Sequence, residues 1–182
     1  MGTMTIFNGN SPLMKLIVAA LFLFPLCCLG QDCKLTKTTD DFTHEIRLST
    51  GFIPFNTISD RILLSIDANT AEIDFFFSLN GAGDSKCFDN ASTATILFDG
   101  TKLKANFKNN GTMNCEGLFH INFRNVPATP YALQRIATQK ITSIRLIGNN
   151  KSETNIILKE EQKELLMSMA ACVIKEAKTL LK

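Results

Sequence analysis

The side chains of this sequence that chemistry could use are few: His44 and His120, the acids Glu72 and Asp74, a group of lysines at 102, 104 and 108, and six cysteines. Histidine acid–base work would have to use one of the two imidazoles. His120 lies among Asn122 and Arg124 on the polar side of an alternating run, so we read it as an exposed surface histidine. His44 shares a period-two face with Phe42, Ile46 and Leu48, which reads as a partly buried histidine near a sheet end and a candidate binding residue. No nucleophile motif accompanies either one. Glu72 and Asp74 fall on one strand face roughly 7 Å apart, a gap that a glycosidase pair can span. Neighbouring solvent-facing acids are the simpler reading.

Other catalytic patterns are missing. There is no Gly-x-Ser-x-Gly elbow, and Gly81 and Gly83 sit in a loop without the Walker spacing or a following helical pattern. The cysteines lack paired short spacings for zinc or for a thioredoxin-type redox site. We therefore expect no catalytic residues, no metal and no cofactor. Lys102, Lys104 and Lys108 make a basic stripe on one face of a hairpin; it would suit an anionic surface or glycan, although lysines on a strand also guard edges. Phe76 stands opposite the stripe of Phe75 and Phe77 and is a candidate partner contact. The formal charge of +2 gives no electrostatic case for nucleic acid. Asn90, Asn110 and Asn150 head glycosylation-type tripeptides, which short sequences produce by chance.

The cysteines acquire meaning from the start of the chain. Lys15, an apolar run over residues 16–29 and the small residues Cys28 and Gly30 read as a secretory signal cut before Gln31. The run is short for a bilayer span, which needs about 20 apolar residues. Residues 1–13 are polar and uncharged, so Met14-Lys15 reads as the true start. Residues 1–30 are then a signal peptide, and residues 31–182 form a single exported α+β domain, periplasmic or extracellular. Cys27 and Cys28 leave with the signal. Cys33, Cys87, Cys115 and Cys172 remain, and four cysteines allow three pairings. We expect Cys33–Cys172, near opposite ends of the chain, with Cys87–Cys115 as the remainder.

The mature chain carries two periodicities. Alternation over residues 42–48, 62–66, 71–79, 103–107 and 118–124 predicts half-buried strands. Asn80-Gly81 predicts a turn, and Asp99-Gly100 predicts a two-residue hairpin with Leu103 facing inward. Thr129-Pro130 opens a short helix as N-cap and first residue. Residues 141–147 and 154–158 read as a hairpin. Leu165, Leu166, Met169, Cys172, Val173, Ala177 and Leu180 recur at three and four, the apolar stripe of a last helix over residues 159–181. Glu160, Glu161 and Glu164 at its start read as a solvated face. These elements predict an α+β fold: an antiparallel meander with the C-terminal amphipathic helix on its apolar face. A β-sandwich with an appended helix is the alternative.

Asp32-Cys33-Lys34 with Asp40-Asp41-Phe42-Thr43 resembles the "DC…DEFTG"-like mature N-terminus of a group of small, uncharacterised exported proteins of Gram-negative bacteria. The run 140–146, followed by a strand and a helix containing Cys172, is similar to their C-terminal part. His44 departs from that pattern, which has glycine there. The resemblance implies export and a disulfide joining the two ends; it implies no activity. The residues together point to an exported, non-enzymatic binding or envelope-associated domain without a membrane anchor after signal cleavage, meeting an anionic surface or a protein partner. The alternative is a small secreted enzyme or enzyme inhibitor with a site assembled from loops.

Overall fold

The strand faces sort cleanly into inward and outward rows. The computed structural model describes residues 33–55, 61–80 and 86–181; the expected signal peptide and the expected turn at Asn80-Gly81 with its loop over residues 81–84 fall wholly or partly outside them. Among the described residues, ten strands form two antiparallel sheets. The first contains β1 (Thr36–Thr39), β2 (Ile46–Ser49), β4 (Arg61–Ala68), β5 (Glu72–Asn80) and β8 (Leu118–Arg124) in the order β1-β2-β4-β5-β8, with the short β3 (Ile53–Pro54) also paired to β4. The second has the order β10-β9-β6-β7, built from β6 (Thr93–Phe98), β7 (Lys104–Lys108), β9 (Ile141–Ile147) and β10 (Glu153–Ile157). Helix α1 (Tyr131–Thr138) precedes β9, and α2 (Glu160–Ala177) ends the fold with a 3-10 turn (Lys178–Leu180). The α+β class and the C-terminal helix lying on the sheet are as the sequence predicts; the strands divide between two sheets.

Register explains the core. Leu64, Phe77 and Phe119 line up across three strands, as do Ile66, Phe75 and Ile121, and all six are buried. On the second sheet Ile96 faces Ile144, which faces Ile156. Phe107 of β7 meets Phe123 of β8 edge to face at 5.5 Å, so inner faces of the two sheets touch directly. Leu166, Met169, Ala170, Val173, Ile174 and Ala177 of α2 close the same cluster, against β2, β4, β5 and β9. Gln162 accepts a hydrogen bond from the Lys159 N–H at the helix start, and acids in the first turn with Lys175 in the last suit the helix dipole. Leu165 is largely outside the stripe, 42 % exposed.

The chain changes sheet three times: through α1 after β8, and at two neighbouring places, after β5 and after β7. Cys87 and Cys115 lie in the latter two crossings with Cα atoms 3.8 Å apart, a disulfide pair. Phe88 and Asn114 form a β-bridge beside them. Cys33, just before β1, pairs with Cys172 of α2 at a Cα separation of 5.7 Å. In the chain-entropy account, closing 139 residues is worth about 5 kcal/mol and closing 28 about 3.6 kcal/mol.

Three local expectations fail for physical reasons. Strand β2 begins at Ile46, because the Asp40 carboxylate accepts the N–H groups of Phe42 and Thr43 and bends residues 40–45 into a turn. Phe42 is 95 % exposed, and His44, at φ 55°, is an exposed turn residue without a place on the core face. Asp99-Gly100 turns the chain, but not as a two-residue hairpin. Pairing of β6 with β7 ends at Leu97–Lys104, while Phe98 shifts across a bulge to face Ile141 of β9. Leu103 therefore sits in the loop, 55 % exposed. Helix α1 begins at Tyr131 with Pro130 as its N-cap, one residue later than expected.

The crossing after β7 depends on Gly117, which has φ +77° and would place a Cβ 2.5 Å from the Leu79 carbonyl oxygen. Gly117→Ala is expected to destabilise the fold by about 1–3 kcal/mol in a urea unfolding curve. Unchanged stability would contradict this crossing geometry.

Candidate functional site

The outward face of the first sheet carries the densest group of polar and aromatic side chains. Cross-strand pairing of β5 with β8 sets Phe76 opposite His120 and Asp74 opposite Asn122. The Phe76 and His120 rings stack at 4.5 Å with a 17° interplanar angle. One position along, His120 Nδ1 and Asp74 Oδ2 are 2.8 Å apart, and Asp74 is buried. The carboxylate selects the tautomer with the proton on Nδ1, which leaves the Nε2 lone pair free for chemistry in the neutral ring. Asn122 repeats the diagonal contact by donating to Glu72 Oε2 at 2.8 Å. Phe52, 56 % exposed, covers Phe76 from the loop before β3, with ring centroids 5.6 Å apart.

The remaining edges of His120 are held by the crossing after β7. Asn109, itself buried, accepts hydrogen bonds from the backbone N–H groups of His120 and Gly111 through Oδ1. The Asn110 N–H donates to the His120 carbonyl. Gly111 lies so close that a Cβ there would come within 2.7 Å of His120 Cδ2. The imidazole is thus held by Phe76, Asp74 and Gly111 and its backbone by Asn109 and Asn110, and its side chain keeps 29 % exposure. The Oδ1 atoms of Asp74 and Asn122 are buried and have no hydrogen-bond partner among the described residues.

An oriented Asp–His pair is the beginning of a general base. No serine, threonine or cysteine among the described residues hydrogen-bonds to the imidazole. No group of three or more His, Cys, Asp or Glu among them is placed to hold a metal ion. What the face presents ready-made is an aromatic step, Phe52–Phe76–His120, bordered by the exposed carboxylate of Glu72.

The other candidates are dispersed. Lys104 and Lys108 project from the outer side of β7, an edge strand of the second sheet, and Lys102 lies in the loop before it. Among the described residues none of the three forms an ion pair. Arg124 ends β8 on the first sheet and does not extend that stripe. His44 stands alone at the β1–β2 turn. At the start of α2, the hydrogen-bonding carboxylates of Glu160 and Glu164 lie 2.5 and 2.9 Å from the Lys140 ammonium and hold its pKa well above the ordinary range. Lys140 and Lys163 in turn lower that of Glu160. This network ties α2 to the start of β9 at the surface.

Reading His120 as merely exposed missed the pair. Its signal is the β5–β8 register, which joins residues 46 apart in sequence and has no local trace.

The chain matches no family model, no curated protein and no solved structure.

The Asp74–His120 contact yields a direct check. Asp74→Ala is expected to strip the buried imidazole N–H of its acceptor and destabilise the fold by about 1–3 kcal/mol, while Asp74→Asn keeps an acceptor and loses less. Equal losses in thermal unfolding would contradict the assigned hydrogen bond.

Proposed function

We propose that this is an exported binding domain, periplasmic or extracellular and not catalytic, whose ligand surface is the outward face of the first sheet. Export is supported by the leader at residues 14–30 and by two cysteine pairs at disulfide distance, which belong to an oxidising compartment. No helix among the described residues is long and apolar enough to cross a membrane. The likeness of the two chain ends to small Gram-negative exported proteins agrees with this placement.

The observation that carries the binding reading is the ordered aromatic step. Phe52 exposes more than half its surface yet leans on Phe76, which leans on an imidazole locked by Asp74 and the Gly111 crossing. A surface ordered before binding loses little entropy when a ligand arrives. The ligand chemistry it suits is a flat apolar face bearing a hydrogen-bond donor for Glu72. Lys104 and Lys108, on the other sheet, would serve an anionic surface rather than this ligand. The oriented Nε2 of His120 favours the second reading, an enzyme with a histidine base.

Screening the oxidised domain against immobilised envelope polysaccharides and arrayed peptides tests this. Phe52→Ala is expected to weaken binding at least about tenfold, some 1.4 kcal/mol, without lowering the unfolding temperature. Binding indifferent to Phe52→Ala would reject the face. Turnover of a bound compound that is lost in His120→Ala would replace the binding reading with the enzymatic one.

A further inference from the structure

The turn between β1 and β2 holds the most exposed large apolar side chain among the described residues, Phe42 at 95 %. The turn is rigidly built. Asp40 Oδ1 accepts from the N–H groups of Phe42 and Thr43 at 2.9 and 2.7 Å, the His44 N–H donates to the Asp40 carbonyl, and the Asp40 N–H donates to that of Glu45. Those hydrogen bonds, the one from Thr43 first, also keep the Asp40 carboxyl below its ordinary pKa and ionised. Asp41 and Glu45 add two exposed acids around the same ring. An isolated phenylalanine on a flexible tip would say little. One held out by a hydrogen-bonded turn and flanked by acids has the form of a pre-ordered anchor.

A complementary surface lies at the same end of the first sheet. The Thr70 hydroxyl donates to Glu45 Oε1 at 3.4 Å, and the next residue, Ala71, accepts at its carbonyl from the Asn125 N–H. Asn125 lines a shallow cleft where β8 meets α1 and α2. Val126 and Pro130, both partly buried, form its apolar mouth, and Arg124 and Lys178 stand exposed on its rim. Neither rim cation forms an ion pair among the described residues. Anchor and cleft are nonetheless separated across the sheet. Phe42 follows the edge strand β1, and Arg124 ends the opposite edge strand β8, four strand spacings or roughly 19 Å away. One molecule's anchor does not fill its own cleft.

We propose that two copies of this chain form a reciprocal two-fold dimer in which Phe42 of each seats on Val126 and Pro130 of the other, with Asp40 and Asp41 facing Arg124 and Lys178. Knob and cleft at one end of the molecule allow both contacts to close together, so the assembly stops at two. The opposed charges set orientation and make association weaken as salt rises. Arg124 stands opposite Glu72 at the border of the ligand face, whereas Phe42, Asp41 and Lys178 lie outside it, so variants at those three positions read the dimer and not the ligand.

Sedimentation velocity of the full mature, oxidised chain over a wide concentration range decides the matter. We expect a monomer–dimer equilibrium whose dissociation constant rises at least about tenfold in Phe42→Ala, with the unfolding temperature unchanged at concentrations where both chains are monomers, because the side chain is almost fully exposed there. Asp41→Lys should dissociate the dimer, and adding Lys178→Glu to the same chain should restore it. A monomer at every concentration would overturn the proposal. So would a dimer that Phe42→Ala leaves intact, or one that the charge reversals do not affect.

Discussion

Phe107 and Phe123 meet across the gap between the two sheets, and this contact exists only because the chain leaves one sheet for the other and returns. An arrangement of local hairpins would stack each sheet from consecutive strands. Here β6 and β7 interrupt β5 and β8, which pair with one another, and α1 carries the chain back to β9. The apolar rows of both sheets and of α2 then share one core. Burying that core is the main favourable term, and the crossings are its geometric requirement.

Crossings leave backbone groups without a ladder, and the sequence satisfies them one by one. Asn114 accepts from Glu116 and Leu118 and donates to the Leu118 carbonyl. Asn109 serves Asp89, Gly111 and His120. Cys87 and Cys115 bind the crossings after β5 and β7 covalently. The same residues that close the core therefore fix His120 on the opposite face. Architecture and candidate site are linked there: the loop needed to return from the second sheet is the loop that holds the imidazole against Phe76 and Asp74.

What the sequence reveals follows from how local each cause is. The stripes of β4, β5 and β8 and the apolar side of α2 are read from period alone, since each position reports its own side of one element. The bend at Asp40 is also local, but a capping carboxylate competes with the alternation of Phe42, His44 and Ile46 and wins. The loop at Asp99-Gly100 is longer than its turn signal suggests because Phe98 is taken by Ile141, a partner 43 residues on. The Asp74–His120 pair lies beyond sequence reading altogether, since no feature near His120 names the strand beside it. The cysteines are the exception among distant relations: few partners exist, so export and count narrow the choice.

The chain visits two sheets and is bound covalently at the crossings after β5 and β7 and between its two ends. Peptide mapping of the unreduced protein, purified without reductant, tests this most directly. Linked peptides Cys33–Cys172 and Cys87–Cys115 are expected, with no free thiol at these four positions. Linkage of Cys33 to Cys87 or Cys115, or free thiols at these positions, would contradict this arrangement.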